Sequence, residues 1–110
     1  MKWEKLVELG KQLPGVTLDS WYGTPALKVA GKGFCRLKED GKDVVFVLES
    51  VDEQEALCDA MPAVYYITDQ YRGWATVLAR LAKLTVREAK ARLELAWRVR
   101  APKKLLKSFE

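Results

Sequence analysis

The sequence predicts an α+β domain, with helices packed on an antiparallel sheet in the order α-β-β-β-β-α-β-β-α. Three observations carry this. Short apolar strand patterns between Val16 and Leu48 follow one another through tight turns, which pairs neighbours antiparallel. Ser50 and Glu53, and again Thr85 and Glu88, have the spacing of a helix capping box. A length of 110 residues, 49% apolar and 31% charged, suits one domain, 1–110, with one core.

Each element has its own signal. Trp3, Leu6, Val7, Leu9 and Leu13 recur at helical spacing, so residues 3–13 read as a helix closed by Pro14-Gly15. Residues 16–21 form a first strand, and Gly23-Thr24-Pro25 a turn. Residues 26–29 and 34–37 are strands joined through Ala30-Gly31-Lys32-Gly33. Alternation puts Phe34 and Arg36 on one face of the second of these, with Cys35 and Leu37 on the other. Asp40-Gly41 marks another hairpin, and the continuous apolar run at 44–48 a central strand. A second helix starts after Ser50 and stops at Pro62. Residues 64–67 and 74–78 make two more strands, which places Trp74 in the core. The last helix runs from Val86 to Arg100 with Val86, Ala89, Leu93, Ala96 and Trp97 as its main apolar stripe. Ala91, Leu95 and Val99 make a narrower one, and the tail with Leu105, Leu106 and Phe109 is a candidate to cover it.

The composition excludes much chemistry. There is no histidine, which removes Ser–His and Cys–His nucleophiles. Cys35 and Cys58 lack metal-ligand spacing and read as buried, inert thiols, so neither metal nor cofactor is expected. Asp19, Asp40, Asp43 and Glu49 show no catalytic pairing, and no enzyme is expected. No apolar run is long enough to span a bilayer and no signal peptide is visible, which makes the cytoplasm the expected location. The net charge of +4 is uneven. Residues 1–60 hold eight basic and eleven acidic side chains, a balance of −3, and residues 61–110 hold eleven and four, a balance of +7. Such asymmetry suits an anionic partner, or simply a solvated basic face.

With the elements placed, the chain resembles the MmcQ/YjbR family. The resemblance rests on Leu13-Pro14-Gly15-Val16, the block from Trp21 to Leu37, Tyr71-Arg72-Gly73-Trp74, and Ala101-Pro102-Lys103-Lys104-Leu105. It implies a frataxin-like fold and a double-wing DNA-binding protein. Tyr65-Tyr66-Ile67-Thr68 departs from the histidine- or asparagine-bearing versions of that segment.

The wings would be two hairpins, one with Lys28, Lys32 and Arg36 and one with Tyr71 and Arg72. Their cations would neutralise phosphates, and Tyr71 would stack on a base. Arg87, Lys90 and Arg98 share a helical arc that continues into Lys103, Lys104 and Lys107, a stripe suited to phosphates and largely sequence-independent binding. The alternative is a protein or small-ligand module, or a homodimer, for which an exposed apolar groove at Trp21 and Tyr22 is the discriminating feature. Asp52, Glu55 and Asp59 share a helical face and offer a lesser, hard-metal reading.

Overall fold

In the computed structural model, which describes residues 1–109, α1 (Trp3–Gly10) leads into four strands. They are β1 (Val16–Trp21), β2 (Thr24–Val29), β3 (Lys32–Leu37) and β4 (Asp43–Val47). α2 (Val51–Ala60), β5 (Tyr65–Tyr66), β6 (Thr76–Arg80), α3 (Val86–Arg100) and α4 (Lys103–Phe109) follow. The strands form one antiparallel sheet in the order β1-β2-β3-β4-β6-β5. The expected α+β class and element order are found, with the tail folded into a fourth helix.

The register separates the sheet's two faces. One row crosses from Leu18 through Leu27, Cys35 and Phe46 to Val77. Its four inner members are fully buried under the helices. α3 lays Ala89, Leu93, Ala96 and Trp97 on this face, and Trp97 also donates its indole N–H to the Pro14 carbonyl at 2.9 Å. α1 ends at Gly10, three residues earlier than its apolar spacing predicts, and a side chain at Gly10 would run into Leu27. Burial pushes the Cys35 thiol up, as an inert core sulfur requires.

The opposite face carries Asp19, Ala26, Arg36, Val45, Leu78 and Tyr66 in one row across all six strands. No helix covers it. The expected pairing of Phe34 with Arg36 on one face is overturned by a β-bulge. Leu27 pairs with Cys35 but Lys28 with Gly33, so Phe34 is the extra residue. Phe34 and Cys35 both enter the core, and Arg36 alone turns to the open face.

Other expectations shift for local reasons. The first hairpin turns at Tyr22-Gly23, so Thr24 and Pro25 are already in β2. The strand expected at 64–67 shrinks to Tyr65–Tyr66, and the one expected at 74–78 begins at Thr76, leaving Trp74 outside it. The Ser50 side chain makes no cap bond, and the Glu53 carboxylate pairs with Arg92 at 3.4 Å. At Thr85 half the box forms. Its hydroxyl accepts from the Glu88 N–H at 3.1 Å, while the Glu88 carboxylate accepts from the Tyr65 phenol at 2.6 Å. The tail does not cover the second α3 stripe. It packs Leu105 towards Gly15 and Phe109 on Trp97 at 5.1 Å, which leaves Leu95 and Val99 exposed. No helix among the described residues is long and apolar enough to cross a membrane.

Tyr65 and Tyr66 give the fold an alkaline limit. Burial, reinforced by the phenols' bonds to Glu88 and Asp43, raises both above the ordinary value of 10. The unfolded chain therefore releases these protons first, so stability present below pH 10 is lost as the pH rises beyond it. Thermal melts are expected to hold level up to that point and then fall. The Tyr65→Phe variant should fall less, and an equally steep decline in that variant would refute the assignment.

Candidate binding cleft

The open sheet face is not flat. The β1–β2 turn rises on one side and the loop of residues 67–75 on the other. Between them lies a cleft of about 620 Å³, floored by Val45 and Val47.

The β1–β2 wall is built by a two-residue turn. Tyr22 at φ 54° and Gly23 at φ 79° both adopt left-handed backbone, the combination that matches strand twist. For glycine this costs nothing, but for a tyrosine it is an outlier of about 1 kcal/mol. The strained residue is also 76% exposed, with its ring stacked on Trp21 at 5.3 Å. Trp21 in turn lies on Gly33, where any Cβ would enter its ring. That close approach is the physical need for the second glycine of Gly31-Lys32-Gly33.

Arg36 ties the two walls together. Its guanidinium donates to the Thr24 hydroxyl at 3.3 Å, to the Glu39 carboxylate at 3.1 Å and to the Tyr71 phenol oxygen at 2.5 Å. It also stands 5.6 Å from the centre of the Tyr22 ring. Glu39's own backbone N–H, with help from Arg36, holds its carboxyl below the usual range. Arg36 is thus buried and internally committed rather than the exposed phosphate contact that a wing requires.

The second wall hangs from one residue of α2. Gln54, buried, donates its amide N–H groups to the carbonyls of Tyr71, Trp74 and Thr76 at 2.8, 3.1 and 2.9 Å. Its amide oxygen accepts from the Gly73 N–H at 3.4 Å. These bonds satisfy the Tyr71 and Trp74 carbonyls and the Gly73 N–H of the loop. Trp74, expected in the core, projects from it and is 69% exposed. Thr76 and Arg100 complete the cleft.

The other predicted site residues divide between two sides. Lys28 is half-buried and 3.8 Å from Asp19, Lys32 is exposed near the β2–β3 turn, and Arg72 is exposed and paired with Asp69 at 3.2 Å. Tyr71 is half-buried, with its hydroxyl held by Arg36. Arg87 and Arg98, with Glu94 between them, point away from Ala89, Leu93 and Ala96, and so away from the sheet. Arg98 bonds Glu94 at 3.1 Å and stands over Phe109. Lys90, Lys103, Lys104 and Lys107 are exposed on the helix layer. The hairpin cations therefore belong to the strands and their loops, and Arg87 and Arg98 to the outward side of α3. Asp52, Glu55 and Asp59 are all exposed, and no group of three possible metal ligands stands together among the described residues.

A single antiparallel sheet with helices on one face and an aromatic cleft on the other defines a small α+β module of the kind the sequence motifs suggest. The chain belongs to the YjbR family, whose model matches residues 11–99. That span holds every cleft residue named above except Arg100. The chain is also similar to uncharacterized proteins of Mycobacterium bovis and of two strains of Mycobacterium tuberculosis. Each is 39% identical over 54 residues, 49% of this chain and 42% of the relative. The match thus spans less than half the length of those relatives.

Proposed function

We propose that the protein binds single-stranded nucleic acid, DNA in the first instance, without catalysis, by taking an unpaired base into the cleft. The observation that supports this most is the exposure of two large aromatic rings, Tyr22 and Trp74, lining the same cleft. Water-exposed rings on a held backbone are stacking platforms for bases, and every base has a face to stack. A duplex offers base edges in its grooves and hides those faces. Glu39 is the single carboxylate of the cleft among the described residues and is bound to Arg36, so no acid–base pair stands there.

This reading retains the nucleic-acid partner expected from the sequence and changes the mode, from phosphate contacts by wings to stacking. It also changes the salt dependence. Lys28, Arg36 and Arg72 each face a carboxylate, which leaves Lys32 and Arg100 as the unneutralised cations nearest the cleft. Two phosphate contacts on a single strand imply a log–log salt slope of about −1.4. Fluorescence anisotropy with labelled single- and double-stranded oligonucleotides is expected to show preference for the single strand and that shallow slope. Tight duplex binding with a steep slope would transfer the function to the basic face of α3 and α4.

The exposed groove at Trp21 and Tyr22, together with the pairing of the hairpin cations, favours a second reading, the small-ligand module, in which the cleft takes a small aromatic anion and no polymer. Quenching of tryptophan fluorescence by a mononucleotide, with no retention of oligonucleotides, selects that reading.

A further inference from the structure

We infer that β1 is a docking edge for a second copy of this chain, joining two sheets into one through an antiparallel β1–β1 pair. The inference is independent of the cleft and rests on the backbone groups that β1 leaves unpaired.

β1 is the first strand of the sheet and pairs only with β2, over all six of its residues and without a bulge. The far edge is different. β5 has two residues, and the Arg80 guanidinium donates to the nearby carbonyls of Pro62 and Ala63 at 3.2 and 3.5 Å. An antiparallel strand alternates between residues that bond one neighbour and residues whose N–H and C=O point the other way. Pro25 fixes the phase. It has no N–H, so Ser20, opposite it, is not in a bonded pair. By alternation neither is Leu18 or Val16, and all three turn their backbone groups outward. The Ser20 N–H agrees with this direction, since its acceptor is the carboxylate of Asp19 at 2.7 Å. Thr17, Leu18, Asp19 and Ser20 are all exposed. Proteins guard such an edge with lysine, proline, a bulge or a short strand. β1 has none of these.

Register selects the occupant. In a twofold antiparallel pair the outward residues of one copy face those of the other. With Leu18 opposite Leu18 of the second copy, Val16 faces Ser20 and Ser20 faces Val16. Every outward N–H and C=O then has a partner. The side chains fit that register. Asp19 lies opposite Thr17, whose hydroxyl can donate to the carboxylate as it releases the Ser20 N–H. Leu18, 47% exposed on the helix side of the sheet, covers its own counterpart. The neighbouring registers are poorer. A shift one way sets Asp19 against Asp19, and a shift the other way puts Pro14, with no N–H, opposite Ser20. The strand is thus complementary to itself, as an arbitrary extended segment is not. The twofold axis runs normal to the sheet, so both uncovered faces, with their clefts, lie on one side of the dimer.

Sedimentation velocity over a concentration series up to millimolar tests the inference. A contact of this size makes a weak, reversible dimer, so the wild type is expected to move from 12.5 kDa towards twice that mass. Leu18→Lys sets like charges opposite each other at an exposed position and should raise the dissociation constant roughly fivefold or more. Leu18→Pro removes the central outward N–H without touching a β1–β2 bond and should leave a monomer. Thermal melts establish that each variant folds. Leu18→Cys should form an interchain disulfide under a mild oxidant. Ser20→Cys, roughly 13 Å from its counterpart in this register, should not. A wild type that stays monomeric throughout the series overturns the inference and leaves the edge to an extended segment of a different chain. Dimerisation undiminished in Leu18→Lys, or crosslinking at Ser20→Cys and not at Leu18→Cys, places the contact elsewhere and overturns it as well. None of these outcomes bears on the cleft, which a monomer retains.

Discussion

Trp74→Ala is expected to weaken single-strand binding by roughly ten- to a hundredfold while leaving the melting temperature nearly unchanged. The magnitude is that of one base–aromatic stack, about 1–3 kcal/mol. The unchanged stability follows from exposure: the ring is 69% open to water and contributes little to the core. Tyr22 permits a sharper form of the same test. Its ring occupies a turn position with φ 54°, which glycine adopts at no steric cost. Tyr22→Gly should therefore lose affinity by a similar factor while holding or slightly gaining stability. Binding measured by anisotropy and unfolding measured by urea would move in opposite directions. If both variants bound oligonucleotides as the wild type does, the aromatic cleft would not be the site.

Gln54→Leu is expected to remove both stability and binding. A leucine is close in size, so the change acts by chemistry rather than volume. It removes the shared donor of the Tyr71, Trp74 and Thr76 carbonyls and the acceptor of the Gly73 N–H. The loss should amount to about 2–4 kcal/mol, the scale of buried polar groups deprived of a partner. The loop that carries Tyr71 and Trp74 then has no anchor in the helix layer, so binding falls with it. Amide hydrogen exchange is the discriminating measurement. Gly73 and Thr76 should lose protection well before the Phe46–Val77 rung of the sheet does. Uniform loss across the sheet would mean that Gln54 serves the whole fold and not the loop.

Most of the fold was legible because it is written locally. Val16–Trp21 and Val86–Arg100 have the limits their patterns predict, and the Asp40-Gly41 turn forms with Asp40 accepting from the Lys42 N–H at 2.9 Å. What escaped depends on partners distant in the chain. The bulge that sends Phe34 inward is a mismatch between β2 and β3, visible only once both strands are aligned. The Glu53 carboxylate goes to an arginine 39 residues away, which no capping motif foretells. Trp74 looked like a strand residue because its neighbours are apolar. It lies outside because Gln54 secures the loop backbone beneath it. The sequence leaves open whether Trp21 and Tyr22 pack in the core or line a groove, and the structure places them in a cleft. Arg36 was expected at a wing, and its burial under Tyr71 is a tertiary fact without a local signal. One clue to the cleft did stand in the sequence: an aromatic residue next to glycine in the shortest possible hairpin turn, where small polar residues usually sit.

The segregation of the basic helix face from the aromatic cleft has a practical consequence. On a negatively charged support, such as a cation-exchange resin or an acidic sensor chip, the lysines of α4 and the outward side of α3 make the favoured point of attachment. The molecule would be captured sheet-side up, with Trp74 and Tyr22 facing the flowing solution. The protein thus carries its own handle for oriented immobilisation.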